Sequence, residues 1–84
     1  MLELYQFEEC PYSTQVRLKM SEWEIDYILR NVSKFKLKRQ RLKKVSGQTG
    51  VPTLVDSWRN VVTAGDEKRI ITYLHKHYRP HTKP

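Results

Sequence analysis

Chemistry in this sequence of 84 residues converges on one sulfur. Cys10 is its single cysteine, and Pro11 follows it directly. Proline suits the first position of a helix, where a missing N–H costs nothing. A thiol just ahead of that position sits where free main-chain N–H groups and the helix dipole converge. Such a setting can move a cysteine pKa from about 8.5 into the range of about 3.5–7.5. The thiolate is the species that attacks disulfides. A buried or incidental cysteine is the competing reading of the same spacing. Glu8 and Glu9 lead into the thiol, and their charge opposes ionisation by at most about one pKa unit once solvent screens it.

A second cluster with chemical potential is Gly50-Val51-Pro52-Thr53. Proline is tolerated at the first residue of a strand, where its missing donor breaks no ladder. A cis bond there would turn the Val51 main chain outward, free to pair with an extended peptide by strand addition. An ordinary loop proline is the alternative.

Three further features have weaker chemical content. The 34–44 stretch, KFKLKRQRLKK, is the densest basic run and as a helix could lie along a phosphate backbone. A solvated helix face that also attracts anions explains it better, and no aromatic residues interleave that face. His75 and His77, two apart on a helix, point to different sides, and His81 lies in the basic tail, so no metal site is expected. Trp58 falls between two short strands and reads as a surface or edge packing residue, with partner docking as the other possibility.

Certain elements must position these groups. Residues 2–7 alternate apolar and polar, as a half-buried strand does. From Pro11 to Glu22 the apolar Tyr12, Val16 and Met20, continued by Trp23, recur at spacings of three and four and predict a helix. Residues 25–32 are rich in β-formers. A helix is expected over 35–45, closed by Gly47 as a left-handed cap. Strands are expected at 53–56 and 60–63, joined by a 57–59 hairpin. Ala64-Gly65-Asp66 then opens a last helix carrying Ile70, Ile71, Leu74 and Tyr78 on one face. The order β-α-β-α-β-β-α makes the first two strands parallel, with a right-handed crossover. The class is α/β, a four-stranded mixed sheet with three helices.

Length allows one domain with a modest core. An unpaired thiol fits a reducing compartment. No apolar run approaches the roughly 20 residues that span a bilayer, and no membrane partner is expected. Met1-Leu2-Glu3-Leu4 carries an acid where a secretion signal has basic residues, so the expected location is cytoplasmic. The formal charge of +7 favours anionic partners: nucleic acid, acidic lipid or a small polyanion.

The motifs taken together resemble the glutaredoxin family. Cys10-Pro11-Tyr12-Ser13 is similar to its C-P-Y-C active site, with serine for the second cysteine. S-G-Q-T-G-V-P at 46–52 is similar to its T-G-x-x-T-V-P segment, and Gly65-Asp66-Glu67 to its glycine-aspartate turn. V-R-L after the cysteine motif and the I-I-T-Y-L run also resemble the N-terminal domain of glutathione S-transferases. The resemblance implies a thioredoxin-like fold over residues 1–79, a flexible tail at 80–84, a monomer, and glutathione as co-substrate with no metal. It implies Cys10 as nucleophile in a monothiol mechanism on glutathionylated proteins. Ser13 would donate its hydroxyl to the thiolate. Tyr12 would line the glutathione groove, and Val51 beside Pro52 would pair with the cysteinyl part. The N–H groups of Asp66 and Glu67 would hold the γ-glutamyl carboxylate, and Arg39 the glycyl carboxylate. Pro11 and Gly65 would shape the two turns. Relatives that share an iron–sulfur cluster between two copies and two glutathiones make that a minor possibility. Phe7, Glu8 and Gly50 depart from the family pattern, which commonly has a lysine before the cysteine and a threonine before Val-Pro. The alternative is a non-catalytic module of the same fold, binding an anionic partner or nucleic acid through 34–44.

Overall fold

The computed structural model describes residues 1–78. Leu2–Gln6 forms β1, and Pro11–Glu22 forms α1 with Pro11 at its N-terminus, the span expected from the sequence. Ile28–Asn31 forms β2, shorter than the 25–32 expected. The missing residues make the turn off α1 instead: Glu24 adopts a positive φ of 54°, and Ile25 N–H bonds back to Met20 O at 2.8 Å. Ile25 and Tyr27 then pack against the core without joining the sheet.

The 35–45 helix is where the structure corrects the sequence most. Lys36–Lys38 is a single 3-10 turn, and only Gln40–Ser46 is α-helical, forming α2. Arg39, at φ −99° and ψ 52°, breaks the two apart. Gly47 closes α2 in the left-handed conformation, as expected. Thr53–Asp56 (β3) and Val61–Ala64 (β4) pair antiparallel, and Glu67–His77 is α3.

The sheet order is β2-β1-β3-β4, with β1 parallel to β2 and antiparallel to β3. This is the thioredoxin-like arrangement. Leu2 and Leu4 of β1 join Leu54, Val16 and Met20 of α1, and Ile70 and Leu74 of α3 in one core, each at most 1 % exposed. Side chains alternate along a strand, so Tyr5 faces the other way, where the Arg41 guanidinium of α2 lies 5.5 Å from its ring. With both faces covered, β1 is the buried spine that carries the loop to Cys10. Among the described residues no helix is long and apolar enough to cross a membrane.

A polar knot closes the end of the domain remote from Cys10 in sequence. Asp56, fully buried at the end of β3, accepts both tyrosine hydroxyls of α3's last turns, Tyr73 and Tyr78, each at 2.6 Å. Its other oxygen accepts the N–H groups of Trp58 and Arg59 at 3.1 and 3.2 Å, which fixes the β3–β4 turn. Burial alone would raise the Asp56 pKa. The two hydroxyls and two N–H groups outweigh it and hold the carboxyl below its ordinary range. Burial first, and then the bond to Asp56, push Tyr73 and Tyr78 upward.

The signs fix a pH profile. The Asp56 contribution to stability is complete above the ordinary value of 3.8 and is lost as pH falls through its lower folded value. The tyrosine contribution is complete below 10.0 and is lost as pH rises beyond it. Urea midpoints measured against pH should therefore form a plateau that falls at both ends. Asp56→Asn should lower the plateau and flatten its acid limb.

Candidate functional site

Cys10 is the N-cap of α1 in extended conformation, φ −69° and ψ 117°. Its Sγ accepts the N–H of Ser13 at 3.4 Å, the bond a capping side chain makes to the first turn. The residue is pinned by three more bonds. Its N–H donates to Phe7 O at 3.1 Å, and its carbonyl accepts the N–H and the hydroxyl of Thr14, both at 3.0 Å. The sulfur is thus held in place by the helix start.

Two expectations change here. The thiol is buried, 4 % exposed, as the competing reading of this cysteine has it, and Cys10 is not among the residues that line the adjoining groove. The Ser13 hydroxyl does not bond to the sulfur either. It is fully buried with no partner among the described residues, and the Ser13 main chain makes the contact instead.

Of the two glutamates before the thiol, Glu8 has a cationic partner. Arg17, on the second turn of α1, lies 3.6 Å from the Glu8 carboxylate and donates to the Glu8 carbonyl at 3.3 Å. It also donates to Thr14 Oγ1 at 3.0 Å and to Gln6 Oε1. One guanidinium therefore ties the β1–α1 loop to both elements and sets a positive charge against Glu8. Sequence reasoning missed it, because Arg17 reads as a surface residue of α1.

A groove of about 340 Å³ opens beside this turn. Tyr12, Gly50, Val51, Gly65 and Glu67 line it, with Lys36 and Arg39 on the basic side. The structure thus brings together the residue two after the thiol, the main chain before Pro52, and the start of α3. The Val51–Pro52 peptide is cis, and Pro52 O accepts the Gly65 N–H at 2.9 Å, joining the two loops. Gly50 and Gly65 are nearly in contact: a Cβ on Gly50 would stand 3.3 Å from Gly65 Cα and 2.8 Å from Gln48 Oε1. That crowding accounts for glycine at 50. Gln48 braces the loop, taking the Gly50 N–H and donating to Thr53 Oγ1 at 3.0 Å.

At the start of α3 the Asp66 carboxylate accepts the N–H groups of Lys68 and Arg69 at 3.0 and 3.3 Å. Those of Asp66 and Glu67 precede the hydrogen-bonded part of the helix, where main-chain donors have no intrahelical partner. Glu67 lines the groove, so this end of α3 borders the same space.

Arg39 stands differently from expectation. It is 6 % exposed, and its guanidinium donates to three main-chain carbonyls: Ser33 at 2.7 Å, Thr49 at 2.8 Å and Lys34 at 3.1 Å. It also stacks over Phe7 at 5.3 Å. It clamps the 33–34 and 49 loops around the groove, which it also lines. Lys36, freed from the helix by the break at Arg39, is the cation of the groove that the sequence did not single out. Arg39→Lys keeps the charge but cannot reach three carbonyls. It should destabilise the fold by about 2 kcal/mol, measurable by urea unfolding.

The remaining candidates lie elsewhere. Trp58 is 71 % exposed in the β3–β4 turn. His75 sits edge-on to Trp23 and His77 tilts against Tyr73, with ring centroids 5.5 and 4.6 Å apart. His81 and residues 79–84 lie outside the described residues.

Comparison with known proteins agrees with this fold. A family model described as Glutaredoxin matches residues 2–57. No curated protein matches the chain. Among solved structures, the Drosophila melanogaster glutathione S-transferase isozyme E7 superposes with a TM-score of 0.78 at 30 % identity, over 93 % of this chain and 35 % of that one. The Bombyx mori glutathione S-transferase unclassified 2 gives 0.81 at 27 %, over 98 % and 38 %. Human glutathione transferase theta-2, solved in complex with glutathione and an unknown ligand, gives 0.81 at 22 %, over 93 % and 32 %, a likeness of fold alone. The chain spans about a third of the length of each.

Proposed function

The chain belongs to the glutaredoxin family, and from that premise we propose that it is a glutathione-dependent thiol–disulfide oxidoreductase with a monothiol mechanism. Residues 1–79 are taken as the domain. The observation that carries the reading is a cysteine at a helix N-cap, its sulfur accepting a main-chain N–H, beside a groove built from Tyr12, Val51 and the start of α3.

In the first step the Cys10 thiolate attacks the glutathionyl sulfur of a mixed disulfide. The Cys10–glutathione disulfide forms as the substrate's sulfur leaves as a thiolate. A second glutathione thiolate then attacks the glutathionyl sulfur on Cys10, giving oxidised glutathione and restoring the Cys10 thiolate. No second protein thiol is needed, so serine at 13 is compatible with turnover. The groove suits the ligand: the Val51 main chain pairs with its peptide backbone, and the donors at Asp66 and Glu67 take the γ-glutamyl carboxylate. Arg39, with Lys36 beside it, lines the groove and is the side chain for the glycyl carboxylate. That the Drosophila melanogaster neighbour at 30 % identity is a glutathione S-transferase supports the ligand class.

Trapping the intermediate tests the proposal. The protein incubated with a glutathionylated peptide should gain one glutathionyl group on Cys10 by mass spectrometry, and lose it on adding reduced glutathione. A protein that stays unmodified under these conditions sinks the proposal and favours a non-catalytic module.

A further inference from the structure

Apart from the groove, the molecule's most unusual surface is the turn that replaced the expected helix. Phe35 is 60 % exposed and Leu37 94 % exposed, the latter with almost no protein wall around it. Lys34, Lys36 and Lys38 alternate with them, and the ammonium groups of Lys34 and Lys38 lie 6.0 and 5.7 Å from the Phe35 ring centroid. Beyond them α2 adds Arg41, Lys43 and Lys44. The sequence holds no acidic residue between Asp26 and Asp56, so this face carries the chain's excess charge without neutralisation.

We infer that the Lys34–Lys38 turn is a docking tip for the surface of an anionic bilayer. Phe35 and Leu37 would enter the boundary between headgroups and acyl chains, while the lysines reach the lipid phosphates. Apolar side chains ringed by basic ones have this affinity, and each lysine held near an acidic lipid surface adds to it. The long lysine stems follow the apolar surface while their charged ends stay wet.

Exposure decides between a bilayer and a protein partner. A peptide that buries a leucine requires a pocket around it, and the open depressions that Leu37 borders on this chain leave it 94 % exposed. A fluid apolar medium closes around such a projection without a preformed cavity. Duplex nucleic acid offers phosphates but nothing to cover Phe35 and Leu37. Lys36 lines both the tip and the groove, so docking sets the groove beside the lipid surface. The inference does not depend on the thiol chemistry.

Vesicle co-sedimentation of the full chain tests it. Vesicles of phosphatidylcholine with about 30 % phosphatidylserine should bind at least about fivefold more protein than phosphatidylcholine alone. Phe35→Ser combined with Leu37→Ser should lower binding about tenfold, and Lys34→Gln with Lys38→Gln should lower it by a similar factor. Leu18→Ser, an exposed leucine on α1, should leave it unchanged. These substitutions lie on exposed side chains, so circular dichroism should show all variants folded. Equal sedimentation with both vesicle types overturns the inference. So does anionic-vesicle binding that ignores the Phe35 and Leu37 changes, or capture by a duplex oligonucleotide or polyglutamate where vesicles capture none.

Discussion

Cys10→Ser should fold as the parent does and lose at least about a thousandfold in turnover of a glutathionylated substrate, some 4 kcal/mol of transition-state stabilisation. The fold survives because serine is itself a preferred N-cap residue and can accept the Ser13 N–H that the sulfur now takes. The thiol is small and packed among held main-chain groups, so the smaller oxygen leaves only a slight void. Chemistry fails because an alcohol at neutral pH is neither ionised nor a competent attacker of disulfide sulfur. A coupled assay of glutathione oxidation, with urea unfolding as control, separates the two. Equal rates for variant and parent would remove Cys10 from the mechanism, and a variant that does not fold would remove the capping argument.

Asp56→Ala should be the most damaging single change to stability, at about 3–4 kcal/mol. The carboxylate is fully buried and takes four hydrogen bonds, two from tyrosines of α3 and two from the β3–β4 turn. Its removal strands two hydroxyls and two N–H groups and leaves Arg59, 3.8 Å away, without its counter-charge. A domain of this size has a total stability of only about 5–10 kcal/mol, so the urea midpoint should fall by nearly half. Asp56→Asn keeps an acceptor and should cost less. A loss below about 1 kcal/mol for the alanine variant would mean that water satisfies these donors.

Much of the fold could be read from the chain because local and tertiary preferences agree there. Pro11 and the Tyr12, Val16, Met20 spacing delimit α1 correctly, and Thr53–Asp56 is a strand as its β-formers suggest. The 34–44 run misled because composition speaks for a helix while one buried side chain decides otherwise. The Arg39 guanidinium reaches carbonyls at 33, 34 and 49, and those bonds outweigh the high helix propensity of its lysine, leucine and glutamine neighbours. The groove was legible from two motifs far apart in sequence. The Arg17 contacts to Glu8 and the tyrosine pair on Asp56 were not, since each depends on residues brought together only by packing.

Capping by sulfur links the chemistry to the helix behind it. In the proposed mechanism, a sulfur tied up in a mixed disulfide would accept the Ser13 amide less well than a thiolate does, so the adduct would loosen the first turn of α1. The free form would then be the more tightly wound of the two. That difference would bias Cys10 toward giving its cargo away.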